Sequence, residues 1–394
     1  MNTSADGRTE SSSRSASLPL TATLGSGRES RRYPVPPQPS DRPLSDSSDP
    51  GRNVPPPTPP KYVYVTGAGF TRAFVPDAPL LVDDFDNDGL VDKVRGLPNA
   101  SRLLEWERNR HPDGFINIER LMTRLDQLMP YDLSQNAADE YRLLLTELRR
   151  AFLLRLSRAR QGHVASHHFD AFADRCAANE SDIITFNYDD FLDEALRRTE
   201  VWTPEWGYGF FCRTSLDAVS PVGHRAPPSG PRLLRLHGCV NWRPRLGHTE
   251  PFALDSIVHH HEWQGDWGTR YPFSLIDQHL ESEPLIVPPV LSKSGLVAQP
   301  VLRLVWTLAF ETLAEAENIT FIGYSFPSTD LAARTLFSEA LRDLPREKMS
   351  VVDLATEEVE IDRFKARYRS VLGEIPDHRF SFDGAESWIR SLVE

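Results

Sequence analysis

The tightest constraint in this chain is a run of β-branched and aromatic residues, Tyr62-Val63-Tyr64-Val65-Thr66, that stops at Gly67-Ala68-Gly69. The run predicts a buried strand, and the amphipathic stretch behind it predicts a helix. A strand that reaches a helix through Gly-x-Gly opens a βα unit, and chains built from such units fold around parallel sheets. The turn has two readings. Either it is only a tight turn, or its small residues let the backbone approach a pyrophosphate while N–H groups at the helix start face the anion.

Three later segments repeat the layout. Ser181 to Leu192 reads as a short strand running into a helix, with Asn187 and Asp189 at the strand's C-terminal end, where open α/β sheets place ligand-binding residues. The plainer alternative is that Asn187 caps the helix and Asp189 supports it. Arg232 to Trp242 is a third strand ending in His237-Gly238. A histidine there can present its ring to a pocket as a base, or it can be structural. Ile319 to Ile322 is a fourth, followed by Gly323-Tyr324-Ser325, where Gly323 and Ser325 suit a ribose or phosphate; Thr329 or Asp330 can cap the next helix.

Between the first two strands, Ile118, Leu121, Met122 and Leu125, then Leu143, Leu144, Phe152 and Leu153, fall at helical spacing, which predicts an inserted helical block. Val351–Leu354, a helix through Arg369, and Arg379–Phe382 read as the last elements of the same sheet. The fold class is therefore α/β: a Rossmann-like parallel sheet with helices on both faces and a helical insertion, over residues 61–394. Residues 1–60 are rich in Ser, Arg and Pro and end in Pro55-Pro56-Pro57-Thr58-Pro59-Pro60. With almost no apolar anchors they are expected to be disordered.

Composition removes several function classes. Lys and Arg number 44 against 56 Asp and Glu, a formal charge of -12, which argues against direct nucleic-acid binding. Cys176, Cys212 and Cys239 are far apart and form no Cys-x-x-Cys pair, so neither a disulfide framework nor a four-cysteine zinc site is expected. The absence of a long apolar run and of a secretory layout at the start predicts a cytoplasmic protein with no membrane contact. Three polar features read as ordinary surface, and no metal is expected. Asp84 to Asp92 imitates the front of a calcium loop but has Arg95 where the bidentate Glu belongs. His163 and His167 sit four apart, with Ser166 as a helix cap, and His259-His260-His261-Glu262 lacks the spacing of a zinc helix.

Taken in order, the strand ends Gly-Ala-Gly-Phe-Thr, Thr-Phe-Asn-Tyr-Asp, Leu-His-Gly and Ile-Gly-Tyr-Ser-Phe resemble the sirtuin-like domain of the silent-information-regulator superfamily. More closely, they resemble its bacterial branch found in anti-phage defence; Leu285-Ile286-Val287-Pro288-Pro289 and Trp306 add to the likeness. The resemblance implies that NAD is the substrate. It implies that Gly67, Ala68 and Gly69, with Phe70 and Thr71 completing the motif, hold the pyrophosphate. Asn187 would lie by the nicotinamide ribose with Asp189 beside it, His237 would be the catalytic base, and Gly323, Tyr324 and Ser325 would form the loop at the adenosine ribose. Deacylating members carry a four-cysteine zinc module after His-Gly; here that region, Asn241 to Glu283, has no paired cysteines. That departure favours NAD hydrolysis over two alternatives, a non-catalytic module binding NAD or ADP-ribose and a zinc-free deacylase. An NAD hydrolase also needs an off state, so a homo-oligomer or a separately encoded sensor is the expected partner.

Overall fold

The computed structural model describes residues 61–80, 90–110, 116, 118–126, 135–162, 167–214, 230–244, 257–259, 284–287, 299–327 and 330–393. Segment 1–60, the front of the acidic loop, His163, Ser166, His260–Glu262, Pro288 and Pro289 lie outside the described residues.

Six parallel strands form the main sheet. They are β1 (Tyr62–Thr66), β2 (Asp182–Thr185), β4 (Leu233–Arg235), β7 (Asn318–Ile322), β8 (Met349–Val352) and β9 (Phe380–Ser381), in the order β4-β2-β1-β7-β8-β9. The inner strands are apolar runs because helices cover both faces. The first group of helices is α1 (Ala68–Phe74), α6 (His167–Ala178), α7 (Phe191–Arg198) and α11 (Gly384–Val393), which pack in the series α1–α11–α6–α7. The second group is α8 (Pro300–Ala314), α9 (Leu331–Ala340) and α10 (Glu358–Leu372), packed in that order.

The inserted helical block holds α2 (Leu90–Lys93), α3 (Pro98–Arg108), α4 (Ile118–Asp126) and α5 (Gln135–Gly162), with α2, α3 and α4 all packing on α5. Leu144, Phe152 and Leu153 are buried, but Leu143 is 53% exposed, because adjacent leucines on a helix point about 100° apart. The remaining strands, β3 (Arg213–Thr214), β5 (Trp242–Pro244) and β6 (Ile257–His259), form a small sheet in the order β3-β6-β5. His259 is buried within it, so the expectation of a polar loop fails at that residue. Among the described residues, no helix is long and apolar enough to cross a membrane.

The strand order positions the site. The four strands whose ends carry the sequence motifs are neighbours, β4-β2-β1-β7, and all run the same way, so the motifs share one edge of the sheet. From β1 the chain moves to one side through β2 and β4, then returns to the other side through β7. The gap between β1 and β7 is therefore the topological switch point, where open parallel sheets bind ligands.

Candidate active site

At the switch point the β1 turn and the β7 loop meet backbone to backbone. Gly67 donates its N–H to Ile322 O at 3.1 Å, and Gly69 donates to Gly323 O at 3.0 Å. A Cβ on Gly67 would stand 2.5 Å from Gly323 O, and one on Gly323, whose φ is +59°, would stand 2.1 Å from the Phe70 nitrogen. These glycines are demanded by the contact between two turns. The N–H groups of Gly67 and Gly69 are thus already committed within the protein, and the turn faces the cavity as a smooth, small-residue wall. The β7 loop keeps its shape through a second left-handed residue, Phe326 at φ +48°, whose ring is buried against Phe321, Phe337 and Tyr368. The Tyr368 hydroxyl donates to Tyr324 O.

The cavity above this contact has a volume of about 350 Å³, within the usual range for small-molecule sites, roughly 300–1,000 Å³. Gly67, Ala68, Gly69, Thr71, Asn187, Asp189, His237, Gly323, Tyr324 and Ser325 all line it. Of the predicted site residues only Phe70 does not: its ring is fully buried among Phe74, Phe169 and Phe172. The side chain after the second glycine points down the first turn of α1 into the core, so Phe70 supports the turn from below.

Three polar residues on the β1–β2 side form one chain of hydrogen bonds. The Asn187 amide donates from Nδ2 to Gly67 O and to Thr71 Oγ1, both at 2.9 Å. Thr71 in turn donates to Asp189 Oδ2 at 2.9 Å. With Nδ2 engaged twice, Oδ1 is the atom that Asn187 can offer a ligand. The other Asp189 oxygen accepts the Phe191 N–H at 3.3 Å at the start of α7, so the support role read from the sequence holds alongside its place in the wall. Burial pushes the Asp189 carboxyl above its usual range, and Arg235 and Thr71 pull it back.

His237 lines the same cavity from the end of β4, the strand next to β2. Gly238 follows at φ +81°, with no room for a Cβ because Leu285 O would lie 2.0 Å from it. Segment 285–287 clamps the turn: Cys239 donates to Leu285 O and Val287 to His237 O, each at 2.9 Å. The imidazole lies edge-on to Phe186, and its Nε2 is 3.2 Å from Asp330 Oδ2. Asp330 also caps α9, accepting the Ala333 N–H at 3.1 Å through Oδ1. The sequence shows only this capping role; the pairing with His237 is a tertiary fact that chain spacing cannot reveal. Trp306, on α8, donates its indole N–H to Leu236 O at 2.8 Å and stacks on the far side of His237 with ring centroids 6.5 Å apart.

Four further residues in or beside the wall escaped the sequence reading. Glu119, Asp353 and Arg367 line the cavity as single charged residues in otherwise ordinary helix or turn stretches. Arg235 lies behind it, 1% exposed, paired with Asp193 and donating to Asn187 O at 3.0 Å. A lone arginine inside the apolar run Leu233–Leu236 was the available signal. Among the described residues no group of three or more His, Cys, Asp or Glu is placed to hold a metal ion.

No family model and no curated protein matches the sequence. Solved structures do resemble the fold. A complex of Sir2Tm with a propionylated peptide is 12% identical, with 84% of this chain and 92% of that one covered and a TM-score of 0.40. A structure described as the basis for the mechanism and regulation of Sir2 enzymes is 14% identical, covering 85% and 91%, with a TM-score of 0.39. A complex of Sir2 with a p53 peptide and NAD+ is 11% identical, covering 84% and 92%, with a TM-score of 0.37. Likenesses this remote carry no information on chemistry, which has to come from the residues themselves.

Proposed function

We propose that this chain is a sirtuin-like NAD glycohydrolase, which cleaves NAD to nicotinamide and ADP-ribose. One observation carries the reading: Asn187, His237 and the glycine turns after β1 and β7 line a single cavity at the switch point, with Asp330 3.2 Å from the imidazole.

In the proposed reaction the bond between ribose C1′ and the pyridinium nitrogen breaks, and its electron pair leaves with neutral nicotinamide. Positive charge then develops on the ribose. Glu119 and Asp189 in the cavity wall favour that charge. Asn187 Oδ1 accepts a hydrogen bond from the attacking water, and His237 takes the water's proton as a new C–O bond forms at C1′. Such a base commonly contributes about 10²–10⁴-fold. Asp330 is a positioning residue: it orients the ring and stabilises the imidazolium. Phe186, Tyr188, Phe152 and Leu156 supply apolar walls that limit water to the one that reacts.

An ungated enzyme of this kind would empty its cell of NAD. On the resemblance of its strand-end motifs we assign it to anti-phage defence, held off until self-assembly or a separately encoded sensor releases it. The test is to incubate the purified full chain with NAD over a range of protein concentrations and follow nicotinamide by chromatography. Release without any acyl-lysine peptide, lost in Asn187→Ala and His237→Ala, is the expected result. Release only with such a peptide would identify a deacylase, and binding without release would identify a non-catalytic module.

A further inference from the structure

A second cavity lies beside α7. It has a volume of about 200 Å³ and is lined from α7, from segment 202–205, from Asn241, and from Thr214 and His259 of the small sheet. Sites for drug-sized ligands run to roughly 300–1,000 Å³, so this one limits its occupant to a small molecule. The proposed reaction makes no use of it.

Its polar lining is rich in acceptors. Asp190, Asp193, Glu194 and Glu205 contribute carboxylates, against Arg197 and His259 as the basic residues of the wall. Arginines already answer the first three: Arg160 pairs with Asp190 at 3.1 Å and with Glu194, and Arg235 pairs with Asp193. Glu205 is different, because among the described residues no side chain is bonded to its carboxylate. Asn241 adds an independent sign of a missing partner. It is 3% exposed, its Nδ2 donates to Asp190 Oδ2 at 3.3 Å, and its Oδ1 has no hydrogen-bond partner among the described residues. Exchanging the two amide atoms would set Oδ1 against a carboxylate, so the open atom is an acceptor. A buried acceptor left unmet is costly, and one that lines a cavity calls for a donor on the occupant. Trp202 and Pro204 make up the apolar part of the wall, and an indole face also favours a cation.

We propose that this cavity binds a small alkylammonium ion, and that filling it supports the reactive site next to it. An ammonium group brings positive charge to Glu205 and N–H donors, one of which satisfies Asn241. The alkyl stem lies against Trp202 and Pro204. The two cavities share their walls. Asp189 lines one and Asp190 the other, and His237 and Asn241 stand on the same stretch after β4. Asp193 reaches further through Arg235, whose guanidinium donates to Asn187 O at 3.0 Å. Beside Asn241, Val240 donates its N–H to Tyr188 O at 2.9 Å. An occupant bonded to Asn241 therefore steadies the two segments that carry Asn187 and His237. This second half rests on the reading of the larger cavity as an NAD site, and the first half does not.

The experiment titrates putrescine into the full chain by calorimetry, beside the uncharged diol of the same chain length and magnesium chloride. Putrescine is expected to bind at a single site, with the diol weaker by about tenfold or more. Glu205→Gln, which keeps the side chain's size, and Asn241→Leu should each weaken putrescine by about tenfold. Absence of putrescine binding, equal binding of the diol, or an affinity unchanged in Glu205→Gln overturns the proposal. Magnesium binding that Glu205→Gln abolishes, with putrescine inert, overturns it too, by assigning the cavity to a metal ion. NAD is then titrated into His237→Ala, where it is not consumed, with and without saturating putrescine. Putrescine should tighten NAD binding by roughly five- to tenfold. Equal NAD affinity in both arms overturns the coupling between the cavities. If NAD binds in neither arm while putrescine still binds, the NAD reading fails and the ammonium site stands.

Discussion

The two flanks of the crevice are built differently. On the β2 and β4 side, Asn187, Asp189 and His237 are each less than a tenth exposed, and the structure behind them is braced by the buried Arg235–Asp193 pair. The Tyr208 hydroxyl also donates to Asp193, and the Tyr188 hydroxyl donates to Val287 O at 2.7 Å. On the β8 side, Asp353 is half-buried, its carboxylate is held by one backbone N–H, and the next residue, Leu354, is 69% exposed. Under the proposed reaction, the difference follows from what each flank would have to do. Placing a base against a reacting carbon tolerates little displacement, so its supports must be rigid. The proposed chemistry asks no such precision of the β8 side, where a lighter framework suffices.

This contrast can be broken most directly at His237. His237→Ala should lower nicotinamide release by about 10²–10⁴-fold with NAD affinity nearly unchanged. A variant that lost binding and turnover together would put recognition on the wrong flank. Next comes the brace: Arg235→Leu strands Asp193 in the core and should cost about 3–5 kcal/mol in chemical denaturation. A small effect would show that the sealed flank does not depend on it.

Much of this was legible in the sequence because strand ends are local. β1, β2, β4 and β7 each stop at a residue that breaks an apolar run, and those breaks are also where the cavity is lined. Sheet order was not legible, since pairing β1 with β7 depends on packing between segments far apart in the chain. For the same reason Asp330 showed only its capping role and Asp353 resembled a surface turn. Phe70 was misplaced because a motif gives residue identity without giving direction, and the first turn of α1 sends that ring into the core.

Two smaller effects sharpen the comparison. Gly323→Ala forces a Cβ against the Phe70 nitrogen at a positive φ, and should cost about 2–3 kcal/mol because the two packed turns resist being pushed apart. A neutral result in thermal melting would mean the two turns can separate.

The smallest effect has the opposite sign. Burial pushes the Asp353 carboxyl up to about 6 from 3.8. The folded state therefore holds its proton more tightly than the unfolded chain does. Stability falls as pH rises from about 4 to about 6 and stays lowered above that. Asp353→Asn should thus stabilise the fold at pH 7 by on the order of 1–2 kcal/mol, an advantage that disappears below pH 4. Melting curves across that range check the sign, and an equal gain at every pH would exclude ionisation as the cause.

The stacking of Trp306 on His237 has a spectroscopic consequence. Imidazolium quenches indole emission far more than neutral imidazole does, and these rings are inclined by 28° with centroids 6.5 Å apart. The chain thus contains an optical gauge of the charge on His237. Among eight tryptophans, the difference in fluorescence between the native chain and Trp306→Phe isolates that signal and lets the proton on His237 be followed as the pH is changed, without any added dye.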